Sequence, residues 1–391
     1  MNGKHPLFAI FQREVTRIRT QWIYISSTLL LPGIAFALMA VIFSSGVPRN
    51  LDIAVVDQDF TPLSRKIYRA VSATPIAEVA WRAQSETEAY EMMKKGNVHA
   101  FLVIPKDSQK KQYNRETVAV KLYVDNTNIV TGGLIQNGVR NAISSLSDDI
   151  QINRAIKEGK SQEQAKNLTN PLKFSEQILF NPYGSYSAFL LNGLLPLLLI
   201  VFVFLTSVLT LGSELKYGTA GELMEHTNKS IVIALIGKML PYTILFLLQA
   251  MLMNFILFHY AGAPLNGSFS FIAASELLLI LAYQMMAVVL IALTSNLRLS
   301  LSLGSAYTMM ALTFAGLTFP LNGMPLAARM FSYIFPFRFW NESFIGQTMR
   351  GEPLIHSAEP LLPVFVFIAT GMAAMPLLKK RFMNPEFYGK T

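Results

Sequence analysis

A short charged segment separates two long apolar runs near the middle of this chain. Residues 212–225 read Gly-Ser-Glu-Leu-Lys-Tyr-Gly-Thr-Ala-Gly-Glu-Leu-Met-Glu, in which the Gly-Thr pair predicts a turn and the start of a short helix. A polar helix held between two apolar runs cannot belong to a lipid-facing core. We therefore expect it to contact a partner in the cytosol and to pass force into the membrane. Its candidate contact residues are Glu214, Lys216, Gly218, Thr219, Glu222 and Glu225.

Catalytic motifs are absent from the sequence. It contains no G-x-x-x-x-G-K-[ST] phosphate loop, no H-E-x-x-H and no G-x-S-x-G. It has no cysteine, and its five histidines are scattered, with no pair at metal-ligand spacing. We therefore predict no catalytic residue, no metal site and no cofactor bound by this chain, which by itself is not an enzyme.

Membrane-spanning helices are expected to position the charged segment. Of the 391 residues, 52% are hydrophobic and 15% are charged, a composition typical of membrane proteins. A helix needs roughly 20 apolar residues to cross the hydrocarbon core. The first apolar run is longer than the core of a signal peptide, so we expect it to remain as an anchor. Six spans are predicted, at residues 22–44, 186–211, 233–259, 271–294, 301–320 and 359–378.

The basic residues beside the apolar runs predict the orientation. Six spans place both termini on the same side of the membrane, and short cytoplasmic loops are enriched in lysine and arginine. With the termini inside, the short outer loops hold only Arg329, Arg338 and Arg350. The bias predicts that the loop 212–232 and the tail 379–391 are cytoplasmic. This distribution of lysine and arginine beside the apolar runs is typical of an orientation signal and not of a nucleic-acid-binding surface. The inner basic residues are Lys4, Arg13, Arg17, Arg19, Lys216, Lys229, Arg298, Lys379, Lys380, Arg381 and Lys390.

Residues 45–185 then lie on the outer side of the membrane, and their sequence pattern predicts a mixed α/β domain. The stretch from Val47 to Pro182 carries 18 basic and 15 acidic residues, a balance typical of a soluble domain. Thr61 and Pro62 predict the start of one helix. The predicted fold is an α-helical polytopic membrane protein with six transmembrane helices and an inserted extracytoplasmic α/β domain. Strand patterns occur at 52–57, 77–81, 101–104 and 118–124, and helical patterns at 62–71, 85–95 and 129–167.

Residues 1–21, before the first span, have apolar side chains at helical spacing and basic side chains opposite. This pattern predicts a helix in the inner membrane interface, with its apolar face in the acyl boundary. The alternative is a plain cytoplasmic extension of the first span. The candidate functional residues of this helix are Phe11, Arg13 and Glu14.

Few polar side chains fall within the spans. Lys238, Glu276 and His259 lie near span ends, where we expect them to reach the interface. The buried carboxylates that ion pumps use at mid-membrane are lacking, which argues against an ion-coupled transporter. Amides inside the spans either bond neighbouring helices to one another or line a substrate path. The amides considered for the path are Asn192, Gln249, Asn254 and Gln284.

The charged segment resembles the E-x-x-x-G-T-x-x-x-L coupling segment of the ABC-2 type transporter permeases. Here it runs from Glu214 to Leu223. Residues 236–242, Ile-Gly-Lys-Met-Leu-Pro-Tyr, resemble the start of that family's third span, and Arg13-Glu14 resembles its elbow helix. The chain is similar to the subgroup with a large external domain between spans one and two. One departure is that Thr227 is followed by Asn228, where the family commonly has proline.

The proline-rich stretch 321–358 is similar to the family's outer hairpin before the last span. Non-helical backbone at membrane depth requires protein or a watery cavity around it, so two short re-entrant helices are expected. The alternative is an interfacial loop anchored by Phe337, Phe339 and Trp340. The prolines that mark this hairpin are Pro320, Pro325 and Pro336.

The resemblance implies the permease subunit of an ATP-binding cassette exporter in a bacterial inner membrane. A separate nucleotide-binding subunit would hold ATP and Mg, and a second permease copy or paralogue would complete the path. Spans poor in charge favour an amphipathic or lipophilic substrate, such as a drug, a lipid or a lipid-linked molecule, and membrane lipid is an expected partner. Sodium efflux, a periplasmic adaptor and a non-transporting scaffold with a periplasmic partner-binding domain remain alternatives at this point.

Overall fold

The structure is a computed structural model that describes residues 6–44, 46, 48–169, 177, 179–181 and 184–389. The chain forms two compact units. One comprises the described residues of 1–46 and 178–391, and the other those of 47–177. Each unit has its own hydrophobic core. Of the predicted interfacial segment 1–21, residues 1–5 lie outside the described part.

A four-stranded sheet organises the unit 47–177. The strands occur in the spatial order β2-β1-β3-β4, and β4 is antiparallel to β3 whereas the others are parallel. They are β1 (Leu51–Asp57), β2 (Ala77–Arg82), β3 (Ala100–Ile104) and β4 (Lys121–Val124). Because parallel neighbours need crossover connections, a helix follows each of the first two strands.

Helices cover both faces of this sheet. Helix α3 begins where the sequence predicts, because Thr61 accepts a hydrogen bond from the Ser64 amide and Pro62 occupies the first turn. Residues of β1 and β3 alternate between two hydrophobic clusters, so both faces of the central strands are buried. The helices of this unit are α3 (Pro62–Ser72), α4 (Glu86–Lys94), α5 (Ser108–Tyr113), α6 (Ile129–Lys157) and α7 (Gln162–Thr169).

Long apolar helices make up most of the other unit. Helix α1 (Pro6–Thr20) precedes them. Among the described residues, five helices are long and apolar enough to cross a membrane, so the chain is a multi-pass membrane protein. These five are α2 (Trp22–Ile42), α8 (Tyr186–Lys216), α10 (Ile231–Tyr260), α11 (Phe269–Thr294) and α15 (Leu354–Met383).

The predicted fifth span, 301–320, differs from the structure. Its helix α12 covers Leu297–Phe314 and is not one of the five. Ala315 caps this helix, and the next residue, Gly316, has φ +85°, the left-handed conformation that glycine adopts without strain at the end of a helix. Helix α8 contains the predicted second span, 186–211, and continues beyond it to Lys216.

The proline-rich stretch is broken into short helices. Pro325 directly precedes α13 (Leu326–Phe331), and Pro336 opens α14 (Pro336–Ile345). Pro320 precedes a single 3-10 turn, Leu321–Gly323. Prolines are favoured at these places because the first helical turn does not use their missing N–H.

Aromatic side chains of α14 are enclosed by protein. Phe337, Phe339 and Trp340 are buried, and the Trp340 Nε1 donates to Ser275 Oγ of α11 at 3.0 Å. The alternative of an interfacial loop with these three rings as membrane anchors is therefore wrong for this structure.

Candidate functional site

The charged segment forms a turn and a separate short helix, α9 (Ala220–His226). Gly218 has φ +71°, a conformation that costs other residues roughly 1–2 kcal/mol, and this permits the reversal between α8 and α9. One face of α9 is buried through Leu223 and Met224, whereas Glu222 and Glu225 on the opposite face are exposed. The helix therefore presents two carboxylates to its surroundings.

Glu214, at the end of α8, lies at the centre of a buried charge cluster. Its Oε1 accepts from Lys238 Nζ at 2.6 Å and from Arg17 Nη1 at 2.9 Å. Arg13 Nη2 donates to both carboxylate oxygens, at 3.1 and 3.0 Å. The Thr219 hydroxyl, directly before α9, donates to Oε2. One carboxylate thus joins α1, α8, α10 and the start of α9.

Glu14 of α1 is the second carboxylate of this cluster. Its Oε1 accepts from Lys238 Nζ at 2.7 Å, and its Oε2 accepts from the Tyr242 hydroxyl at 3.2 Å. Arg17 Nη1 lies farther away, at 3.8 Å. The side chains of Glu14, Glu214 and Lys238 are 0% exposed, so the lysine is shared between two carboxylates with no water between them.

Arg17 extends the cluster to α2. Its Nη2 donates to Ser213 Oγ at 2.8 Å, and its guanidinium lies 4.6 Å from the centre of the Tyr24 ring. Burial acts to lower the pKa of Arg17, but Tyr24 and the two carboxylates raise it above its ordinary value. We call the seven residues Arg13, Glu14, Arg17, Tyr24, Glu214, Lys238 and Tyr242 the charge cluster.

Close packing of α1 on α10 encloses the cluster. A Cβ atom at Gly237 would lie 3.0 Å from both the Cβ of Ile10 and the carbonyl oxygen of Leu7. Glycine therefore lets the two helices approach at the position directly before Lys238. Ile10, Glu14 and Ile18 form the buried face of α1. The predicted interfacial helix thus buries one face in protein, and this face includes the carboxylate of Glu14.

The chain end packs on the loop between α8 and α9. The Gly389 amide donates to the Leu215 carbonyl at 3.1 Å, and the Tyr388 ring lies beside Gly218 and Gly221. Burial raises the pKa of Tyr388, and a hydrogen bond from the Gly221 backbone acts in the opposite direction. The position of the loop is therefore set by the tail as well as by the charge cluster.

The structure divides the predicted contact residues into two groups. Lys216, Glu222 and Glu225 are exposed, and Gly218 and Thr219 are half-buried in the turn. Glu214, in contrast, is fully buried, because three basic side chains and Thr219 enclose its carboxylate. Its predicted place on the contact surface is therefore corrected for this conformation.

Two further placements need correction. Lys238 and Glu276 are fully buried rather than reaching the membrane interface. Helix α1 covers Lys238, and Glu276 accepts from Asn254 Nδ2 at 2.9 and 3.1 Å, with no cation in ion-pair contact within the described chain. Phe11 of α1 is half-buried and stacks on Phe8 with ring centres 6.5 Å apart.

The four amides considered for a substrate path are buried and are not brought together. Gln249 donates to the Leu29 carbonyl at 3.1 Å, within the π-helical turn of α2. Gln284 accepts from Thr243 Oγ1 at 2.9 Å. Asn192 donates to the carbonyl one turn earlier in its own helix, at 2.7 Å, and Asn254 bonds Glu276. Asn192 Nδ2 also donates to Met349 Sδ at 3.3 Å, so all four amides bond to a segment outside their own helix.

Sequence reasoning missed four members of the charge cluster as functional residues, Arg17, Tyr24, Lys238 and Tyr242, and it also missed their hydrogen-bond partner Ser213. A usable signal was present. Lys238 is a lysine inside an apolar run, and a residue of this kind requires a carboxylate partner when another helix covers it.

These observations define a class of protein. It is a multi-pass membrane protein in which buried ion pairs connect the long helices to the start of a short, charged helix with an exposed face. The family model described as an ABC-2 family transporter protein matches residues 22–375. The chain therefore belongs to the ABC-2 family of transporter proteins, which confirms the family that its motifs resemble.

Curated relatives agree with this assignment. The chain is 20% identical over 348 residues to the probable multidrug ABC transporter permease YbhS of Escherichia coli K12, which covers 87% of this chain and 86% of the relative. It is 22% identical over 329 residues to ABC transporter G family member 20 of Dictyostelium discoideum, which covers 81% of this chain and 42% of that protein.

Proposed function

We propose that this chain is the transmembrane subunit of an ATP-driven exporter, and that a separate nucleotide-binding subunit docks on α9. ATP and Mg would be held by that subunit. Membership in the ABC-2 family supports such a partner, as does the relative named an ABC transporter permease. The chain itself would then perform no hydrolysis.

One observation carries the proposal: the start of α9 is bonded to three helices through a single buried carboxylate. Thr219 contacts Glu214, which contacts Arg13 and Lys238. A displacement of α9 is therefore transmitted to α1, α8 and α10 without passing through flexible chain. An isolated polar loop would absorb the same displacement.

The roles of the predicted residues follow from their exposure. Glu222 and Glu225, with Lys216 nearby in the chain, form the contact with the ATPase subunit. Glu214 has a transmitting role, because its carboxylate is enclosed by protein. Removing an interfacial charge that becomes buried on docking costs on the order of 2–5 kcal/mol.

The topology proposed with this function has both termini, α9 and the charge cluster on the cytoplasmic side of a bacterial inner membrane. The unit 47–177 is then extracytoplasmic, and the helix α12 acts as a sixth span although it is short, about 27 Å by helical rise. Two copies, or this chain and a paralogue, would enclose the path, with lipid around them. A periplasmic adaptor is a candidate partner of the outer unit.

The substrate proposed is amphipathic or lipophilic. Hydrogen bonds of the amides in the described spans to other helices or to their own backbone support a path poor in polar groups. The name of the Escherichia coli relative includes multidrug transport. A drug-like, lipid or lipid-linked molecule leaving the cytoplasm or the inner leaflet fits these observations.

Reconstitution with the cognate ATPase subunit tests the proposal. The double variant E222K/E225K should insert normally, yet lose copurification of the ATPase and lose drug-stimulated hydrolysis. The matched control E78K/E163K makes the same charge change on exposed residues of the unit 47–177 and should behave as wild type. Wild-type ATPase binding and stimulation in E222K/E225K would contradict the docking surface.

A further inference from the structure

A cavity of about 440 Å³ opens in the unit 47–177, beside the carboxyl ends of β1 and β2. Its lining includes Asp57, Arg65, Tyr68, Arg69 and Arg82. Crevices at the carboxyl ends of parallel strands are where open α/β sheets bind ligands. The cavity lies wholly within this unit and is separate from the charge cluster and α9.

Three arginines give this cavity its charge. Arg65 and Arg69 are four residues apart on α3 and so share one helix face. Arg82 ends β2, in register with Val55 of β1. None of the three forms an ion pair with any described residue. Arg65 and Arg69 carry the same charge four residues apart on one helix, and such a pair repels.

Acidic groups of the lining do not neutralise these arginines. Asp57 is the one carboxylate among the lining residues, and its Oδ1 accepts from the amides of Asp59 and Phe60, each at 3.0 Å. Those bonds hold Asp57 in the turn after β1. The cavity therefore has an excess of two positive charges.

Aromatic side chains lie beside the arginines. The Arg82 guanidinium lies 4.7 Å from the centre of the Tyr68 ring, which orients its planar donors. Phe60 lines the cavity with 79% of its surface exposed, and its φ of +52° is a strained conformation for a bulky residue. A strained, exposed aromatic residue beside unpaired arginines is typical of a binding site rather than of a packed core.

We propose that this cavity binds a phosphate group, either free or as the headgroup of a phosphorylated lipid. The planar forked donors of arginine fit phosphate oxygens, and three such groups around one cavity match a phosphomonoester or phosphodiester. Phe60 and Tyr68 provide an apolar surface for the part of the ligand next to the phosphate. The proposal does not depend on the transport function.

Binding is measured on the full chain in an uncharged detergent with two probes. Radiolabelled inorganic phosphate is followed by equilibrium dialysis, and dihexanoyl phosphatidic acid by titration calorimetry. The double variant R65Q/R69Q should bind at least tenfold more weakly. The control K110Q/K111Q removes two exposed charges from α5 of the same unit and should change affinity less than twofold.

A second variant keeps the test decisive if R65Q/R69Q fails to fold. F60G places a residue that tolerates positive φ at this position, so it should not lower thermal stability. It should nevertheless weaken the binding of dihexanoyl phosphatidic acid more than the binding of inorganic phosphate. Saturable binding of both probes would assign the site to the phosphate itself, and binding of the lipid probe alone to a lipid headgroup. No saturable binding of either probe, or an equal loss in K110Q/K111Q, would overturn the proposal.

Discussion

Removing Lys238 tests whether the charge cluster holds the helices together. In K238M the carboxylate of Glu14 keeps only the Tyr242 hydroxyl at 3.2 Å and Arg17 at 3.8 Å, and it stays buried. Breaking a buried ion pair in this way costs about 3–5 kcal/mol. At roughly 2–4 °C per kcal/mol for units of this size, the melting temperature should fall by about 6–20 °C. The shift is measured by thermal unfolding of the purified protein in detergent.

A double variant separates the lost ion pair from lost packing. In E14L/K238M no unpaired carboxylate remains from this pair, and Glu214 keeps Arg13 and Arg17, so more than half of the lost stability should return. The exposed lysine variant K229M should stay within about 0.5 kcal/mol of wild type. If K238M shifts no more than K229M, or if the double variant loses the sum of both single changes, the assignment of Lys238 as the shared counter-ion is refuted.

Three other outcomes follow from the geometry. A cysteine at Lys110 should react with an impermeant maleimide in cells with a permeabilised outer membrane, whereas one at Lys229 should not; the reverse labelling would mean that the proposed orientation is wrong. Q249L and Q284L should each cost only about 0.6 kcal/mol and leave drug-stimulated ATPase near wild type, because these amides bond helices; altered stimulation at unchanged stability would instead place them on the substrate path. G218A should cost about 1–2 kcal/mol and weaken ATPase copurification, and unchanged binding would show that the turn does not fix α9.

Local features of the sequence were predictable because neighbouring residues determine them. The Thr61 cap with Pro62 determines where α3 begins, and Gly218 determines the turn before α9. Long apolar runs identify helices that must be buried in lipid or protein. The end of a helix was harder to predict. Helix α8 continues past the predicted span to Lys216, and Glu214 within it is stabilised by an ion pair with Lys238 of another helix.

Contacts between distant residues were not predictable in the same way. Lys238 and Glu14 are 224 positions apart, and their pairing depends on α1 folding over α10 at Gly237. The rule that charged side chains near span ends reach the interface failed for Lys238, because α1 packs over this residue and supplies Glu14 as its partner. Glu276 is enclosed for a related reason, since Asn254 of the neighbouring helix supplies its hydrogen bonds.

The central claim is that the exposed face of α9 is the docking surface of the ATPase subunit. A photo-crosslinking amino acid at Glu225, in cells that also express the ATPase subunit, tests it most directly. The account predicts a crosslink to that subunit from Glu225 and none from Lys66, an exposed position of the unit 47–177. No crosslink from Glu225 while the complex copurifies intact, or a crosslink from Lys66 instead, would contradict it.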